Sequence, residues 1–169
     1  MMKRITHDLQ FPLFIFACCA LLYSLYAQYV LTFEPCPLCI MQRVSMCFLG
    51  VAFFVGIFCI KKKNMLIVLF SELLCAAFGL FFALRQIWLE SLPVENTGVC
   101  MPGLDLLIHY LPPREIMKLL FWGERSCGDV TWHAFGFSMA TWSSICFSVI
   151  ILILLGLILR SVWDKKSRS

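Results

Sequence analysis

Long apolar runs separated by short polar ones set the architecture of this chain. Four of them, 11–31, 42–60, 65–84 and 139–159, match the ~20 residues that a helix rising about 1.5 Å per residue needs to cross about 30 Å of hydrocarbon. The pattern predicts an all-α membrane protein, a four-transmembrane-helix bundle, with 1–169 forming a single membrane domain. Between the first two spans lies a short loop, 32–41, and between the last two a long one, 86–138. The long loop mixes Glu90, Glu95, Asp105, Glu115, Glu124 and Asp129 with Arg114, Lys118 and Arg125, and is punctuated by Pro93, Gly98, "MPG" and "PP". Such polarity and turn content suit water rather than lipid. Within it, "REIMKLLFW" (114–122) carries apolar residues among few charges and predicts a short interfacial helix that would keep the long loop near the bilayer, or against the short loop.

Composition agrees: 61% of residues are hydrophobic, well above the roughly 45–50% of an average soluble domain, and the mean hydropathy is +0.87. Lys3 and Arg4 before the first run give it the look of a secretory signal, but it is longer than a usual apolar core and lacks a small-x-small cleavage site, so it is expected to remain as a helix. Basic residues orient the bundle, because cytoplasmic flanks collect Lys and Arg. Lys3 and Arg4, "KKK" at 61–63, and Arg160, Lys165, Lys166 and Arg168 all fall on one side. Both termini are therefore expected in the cytoplasm, with both cysteine-bearing loops opposite. The net charge of +4 reports topology, and a nucleic-acid partner is not expected.

The ten cysteines sort by depth. Cys18, Cys19, Cys47, Cys59, Cys75 and Cys146 fall within the apolar runs, where a thiol packs as a small hydrophobe. Cys36, Cys39, Cys100 and Cys127 lie in the two loops, on the side that in bacteria is oxidising. Closing Cys100 to Cys127 would remove chain entropy worth roughly 3–4 kcal/mol, so that pair reads equally as a structural staple. A ring closed by Cys36 and Cys39 gains only about 2 kcal/mol before strain and is better explained by exchange chemistry. Zinc is disfavoured, since tetrahedral sites usually draw on two close pairs, whereas Cys100 and Cys127 are single and neither His109 nor His133 is suitably spaced. A bundle haem would need axial ligands within the spans, and His7, His109 and His133 lie outside them. No nucleotide fingerprint is present, so no metal, haem or flavin is expected.

"EPCPLCIMQR" (34–43) concentrates the remaining chemistry. Proline favours the first helical turn, so the second helix is predicted to begin at or within "CPLC", where amide dipoles favour the Cys39 thiolate. Arg43, four residues on, shares that helical face. It reads either as a snorkelling residue reaching the headgroups or as a cation stabilising charge on sulfur and on an acceptor. With no soluble-cofactor motif, a lipid-dissolved quinone is the simplest two-electron acceptor by elimination.

"PCPLCIMQR", "ALRQIWLESLP", "GVCMPGLDLL" and "SCGDVTWHAFGFSMATW" together resemble the DsbB family of bacterial inner-membrane, quinone-dependent thiol oxidases. The resemblance implies that Cys36 and Cys39 form the couple reoxidised by ubiquinone or menaquinone, with Cys39 contacting the quinone. It implies that Cys100 and Cys127 exchange with a periplasmic, thioredoxin-fold, DsbA-like partner. A Cys36–Cys127 mixed disulfide is the implied intermediate, and Arg43 matches the arginine that assists quinone reaction. Many members carry a histidine near the outer end of the third helix where this chain has Gln86, which can donate a hydrogen bond but cannot titrate. Neighbouring Arg85 is a second candidate for the quinone site, or an interfacial anchor. Two rival readings are a DsbI-type sibling serving a dedicated partner and a non-catalytic scaffold whose loop disulfides are staples. Glu72, the one acid within a span, is expected to meet "KKK" or the headgroups, about 10 Å from the start of its helix.

Overall fold

The computed structural model describes residues 2–31, 36–59, 65–92, 112–123, 133–134 and 136–166. Four long helices carry the fold: α1 (Met2–Tyr29), α2 (Pro37–Cys59), α3 (Met65–Glu90) and, after the short α4 (Pro113–Trp122), α5 (Met139–Lys166). Each of the four contains a stretch long and apolar enough to cross a membrane. The helices outrun the apolar runs: α1 begins well before 11, α2 begins at Pro37 within "CPLC", α3 continues to Glu90, and α5 continues to Lys166. Apolarity marks where hydrocarbon would lie, whereas backbone hydrogen bonding continues through polar helix formers such as Lys, Arg, Gln and Glu. Residues 86–90, read as loop from the sequence, therefore belong to α3.

Neighbouring helices in the bundle are α1 with α2, α2 with α3, and α3 with α5. Leu13 and Ala17 of α1, Met46, Leu49 and Phe53 of α2, Leu69 and Ala76 of α3, and Phe147, Ile150 and Leu154 of α5 form one contiguous core. Lipid is as apolar as these side chains, so helix association depends on close packing at small residues rather than on escape from water. Gly79 of α3 shows this directly: a Cβ there would stand 2.3 Å from Cζ of Phe147, so the ring occupies the space glycine leaves. Phe48, Phe58, Leu74, Leu152 and Leu159 point outward, as expected of surfaces that face hydrocarbon.

Glu72 does not face the headgroups: it turns inward, fully buried, and receives hydrogen bonds from Gln10 of α1. The other expected partner, "KKK", lies outside the described residues. Hydrocarbon offers a carboxyl no partner, so the bundle interior is the stable place for it.

Two small elements trim the opposite end. A two-residue hairpin pairs β1 (His133–Ala134) with β2 (Phe137–Ser138) in the register His133↔Ser138 and Ala134↔Phe137, turning at Gly136 with φ +82°. Ser138 then caps α5, its Oγ accepting the N–H of Thr141 at 3.3 Å.

Candidate active site

Cys36 and Cys39 sit at the start of α2, built by the local sequence. Pro37 occupies the first helical position, where its missing N–H costs nothing, and Cys36 takes the cap position before it. The Cys36 carbonyl accepts the first helical bond from Ile40 N–H at 3.1 Å, and its Sγ accepts the N–H of Cys39 at 3.3 Å. The sulfur of Cys36 thus does what a serine or aspartate oxygen does at an N-cap. From sequence the helix terminus pointed to Cys39; the structure directs a backbone amide to Cys36. The two sulfurs are neighbours, 2.9 Å apart.

Cys39 faces α3. Its S–H donates to Gln86 Oε1 at 3.4 Å, and Gln42, one turn along α2, donates Nε2–H to the same oxygen at 2.8 Å. Gln86 Nε2 in turn donates to Glu90 Oε1 at 3.4 Å. Gln86 is 0% exposed, so its amide is oriented by these contacts and not by water. The result is a short polar file from sulfur, through one amide, to a carboxylate at the end of α3. Leu38, between the two cysteines, is also 0% exposed and packs with Phe82 and Leu89 of α3 and Phe121 of α4. Burying that leucine fixes the face of α2 that carries sulfur.

Arg43 lies one turn beyond Cys39, and its guanidinium is held by α1. Nη1 donates to Gln28 Oε1, and Nη2 to the Ser24 carbonyl at 3.1 Å. A guanidinium has five N–H donors, so these two bonds fix its plane and leave further donors for an acceptor. Arg85 serves a different neighbour. It donates Nε–H to the Trp122 carbonyl at 3.1 Å, satisfying an orphan carbonyl at the end of α4, and lies 4.2 Å over the Trp88 ring. Phe121 meets Phe78 and Phe82, with ring centroids 6.3 and 5.9 Å apart, so α4 docks on the same end of the bundle as the cysteines.

Of the residues singled out from sequence, Cys36, Cys39 and Gln86 come together, Arg43 stands one turn away, and Arg85 braces α4. Cys100 and Cys127 lie outside the described residues. Sequence reasoning passed over Gln42, which adjoins Arg43, although its spacing of three from Cys39 places both on one helical face. It also treated Glu90 as a loop charge, because the apolar run ends before α3 does.

The arrangement is a vicinal-type dithiol at the rim of an apolar bundle, with hydrogen-bond donors and acceptors around one sulfur. It is suited to opening and closing a disulfide. The family model for the disulfide bond formation protein DsbB matches residues 7–157. Disulfide bond formation protein B of Polaromonas sp. is 38% identical over 149 residues, covering 85% of this chain and 86% of the relative. The protein of that name from Chromohalobacter salexigens is 35% identical over 144 residues, covering 83% and 84%. Disulfide bond formation protein B 1 of Pseudomonas aeruginosa is 32% identical over 141 residues, covering 81% and 85%. The chain therefore belongs to the DsbB family, as a multi-pass membrane protein and oxidoreductase of disulfide bond formation.

Proposed function

We propose that the protein is a thiol:quinone oxidoreductase of the bacterial inner membrane. In this reading it reoxidises a periplasmic DsbA-like dithiol and passes the electrons through Cys100/Cys127 and Cys36/Cys39 to ubiquinone or menaquinone. Both termini then lie in the cytoplasm and all four cysteines on the periplasmic side. The observation that carries the reading is the position of Cys39, beside Cys36 at 2.9 Å and against the buried Gln86 at 3.4 Å, at one end of a membrane bundle.

The exchange steps conserve electrons. A thiolate of the partner attacks the Cys100–Cys127 disulfide, and the partner's second thiol resolves the mixed disulfide, leaving the partner oxidised and this pair reduced. Exchange between the loops then opens a Cys36–Cys39 disulfide through Cys36–Cys127 and re-forms Cys100–Cys127, which leaves the two electrons on the Cys36 and Cys39 thiols. A quinone supplies the terminal oxidation by accepting two electrons and two protons. The residues around Cys39 fit such a group, since its two carbonyl oxygens need donors beside sulfur at a membrane rim. Arg43, fixed by Gln28 and Ser24, supplies a cation there, and the Gln86 amide, oriented by Gln42 and Glu90, supplies a donor and an acceptor. Arg85 contributes from further off by holding α4.

The test is to titrate purified protein with ubiquinone and a reduced DsbA-type partner and follow quinol absorbance. Turnover that disappears in both Cys36→Ser and Cys39→Ser is expected. Quinone-dependent oxidation of the partner that survives either substitution overturns the order of transfer.

A further inference from the structure

None of this uses the buried acid in the other half of the bundle. Gln10 of α1 and Glu72 of α3 are both 0% exposed. Gln10 Nε2 donates to both carboxyl oxygens, at 2.9 and 3.0 Å, while Gln10 Oε1 is buried with no hydrogen-bond partner among the described residues. Gly56 of α2 closes the third side: a Cβ there would meet Glu72 Oε1 at 2.9 Å and Gln10 Oε1 at 3.0 Å. Three helices thus converge on a notch in which two carboxyl oxygens share one amide donor and the amide's own oxygen is left over.

As a carboxylate this group would be an anion in the bilayer with no cation from any described side chain, and the Gln10 oxygen would stay unsatisfied beside it. A single proton resolves both deficits. The acid O–H then donates to Gln10 Oε1 while Gln10 Nε2 donates to the remaining carboxyl oxygen, closing a ring of two hydrogen bonds. Reaching it takes only a turn of the Gln10 amide about its terminal bond, and Gly56 leaves the room. Among the described side chains, the nearest titratable groups along the two partner helices, Asp8 on α1 and Cys75 on α3, bring no positive charge, and α2 presents Gly56.

We propose that Glu72 is a proton-binding site, a neutral acid paired with Gln10 that clamps α1 to α3 across Gly56. The clamp is independent of the cysteine chemistry. Infrared spectra of the reconstituted full-length protein at neutral pH, where carboxyls in water are ionised, test it directly. A protonated-carboxyl C=O band is expected in the wild type, absent in Glu72→Gln and retained in Cys39→Ser. Glu72→Gln preserves the ring as an amide pair, so its denaturation midpoint should match the wild type, and partner oxidation should be unchanged. Glu72→Ala should lower the midpoint. No band sensitive to Glu72→Gln, or a Glu72→Gln midpoint that falls as far as that of Glu72→Ala, overturns the proposal. The second outcome would mean that the side chain works as an anion.

Discussion

Replacing Gly123 by alanine tests whether α4 holds Cys36 and Cys39 in place. Gly123 ends α4 at φ +67°, a left-handed conformation that costs an L-residue about 1–2 kcal/mol. The new Cβ would also stand 2.5 Å from Cδ1 and 2.9 Å from Cγ of Leu38, and 3.0 Å from Cδ1 of Leu89. Leu38 cannot swing aside easily, because Phe82, Leu89 and Phe121 enclose it. Overpacking of this kind costs about 1–3 kcal/mol, which with the backbone term gives roughly 2–5 kcal/mol against the docked state. The strain is relieved by lifting α4 from the bundle or by shifting the start of α2, and either exposes Cys36 and Cys39. Denaturation monitored by tryptophan fluorescence in mixed micelles measures the first effect, and the alkylation rate of the reduced cysteines the second. Leu38→Ala alone should cost about 2–5 kcal/mol as a cavity. It also removes the two nearest of the three atoms that the added methyl would strike, so the double variant should be about 1–2 kcal/mol more stable than the sum of the singles. Additivity within about 0.5 kcal/mol, or a neutral Gly123→Ala, would refute this account of α4 docking.

Three further outcomes follow from the same geometry. Gln86→Leu takes the acceptor from Cys39 and leaves the Gln42 amide buried without a partner, so stability should fall by about 1–3 kcal/mol. Quinol formation should slow roughly tenfold, the effect of about 1.4 kcal/mol on a barrier, and an unchanged rate would remove Gln86 from the site. Arg43→Lys keeps the charge but cannot hold Gln28 and the Ser24 carbonyl with one planar fork. Its KM for quinone should rise and its stability should drop by about 1–2 kcal/mol, whereas kinetics indifferent to the substitution would return the residue to a snorkelling role. Gly79→Ala drives a methyl into Phe147, whose Cζ would be 2.3 Å away, and should destabilise the α3–α5 contact by about 1–3 kcal/mol. Combining it with Phe147→Leu should restore most of the loss in the same unfolding measurement.

Much of this molecule can be read from one dimension. The four spans follow from run length alone, because the thickness of hydrocarbon sets how many apolar residues a helix must supply. The start of α2 follows from Pro37, whose ring fits a first turn. The amphipathic 114–122 segment does fold as α4. Cys36 and Cys39 stand at the start of α2, as their place at the edge of an apolar run implies, whereas Cys100 and Cys127 lie outside the described residues. Family resemblance then rests on motifs in the loops, where chemistry constrains residue type more tightly than packing does.

Tertiary structure alone decided the partners of the polar groups. Gln42 and Gln86 are 44 positions apart and Gln10 and Glu72 are 62 apart, and neither pairing has a sequence period. Polarity alone would send Glu72 out to the headgroups. It turns inward because, in a bundle, the rotation of each helix about its axis is set by which small residues allow close approach. That rotation selects the face of α3 presented to α1 and α2, and hence whether a polar side chain meets hydrocarbon or another helix. Length and apolarity therefore determined which segments are able to cross a membrane. Helix rotation, fixed by contacts distant in sequence, decided what each buried polar atom touches.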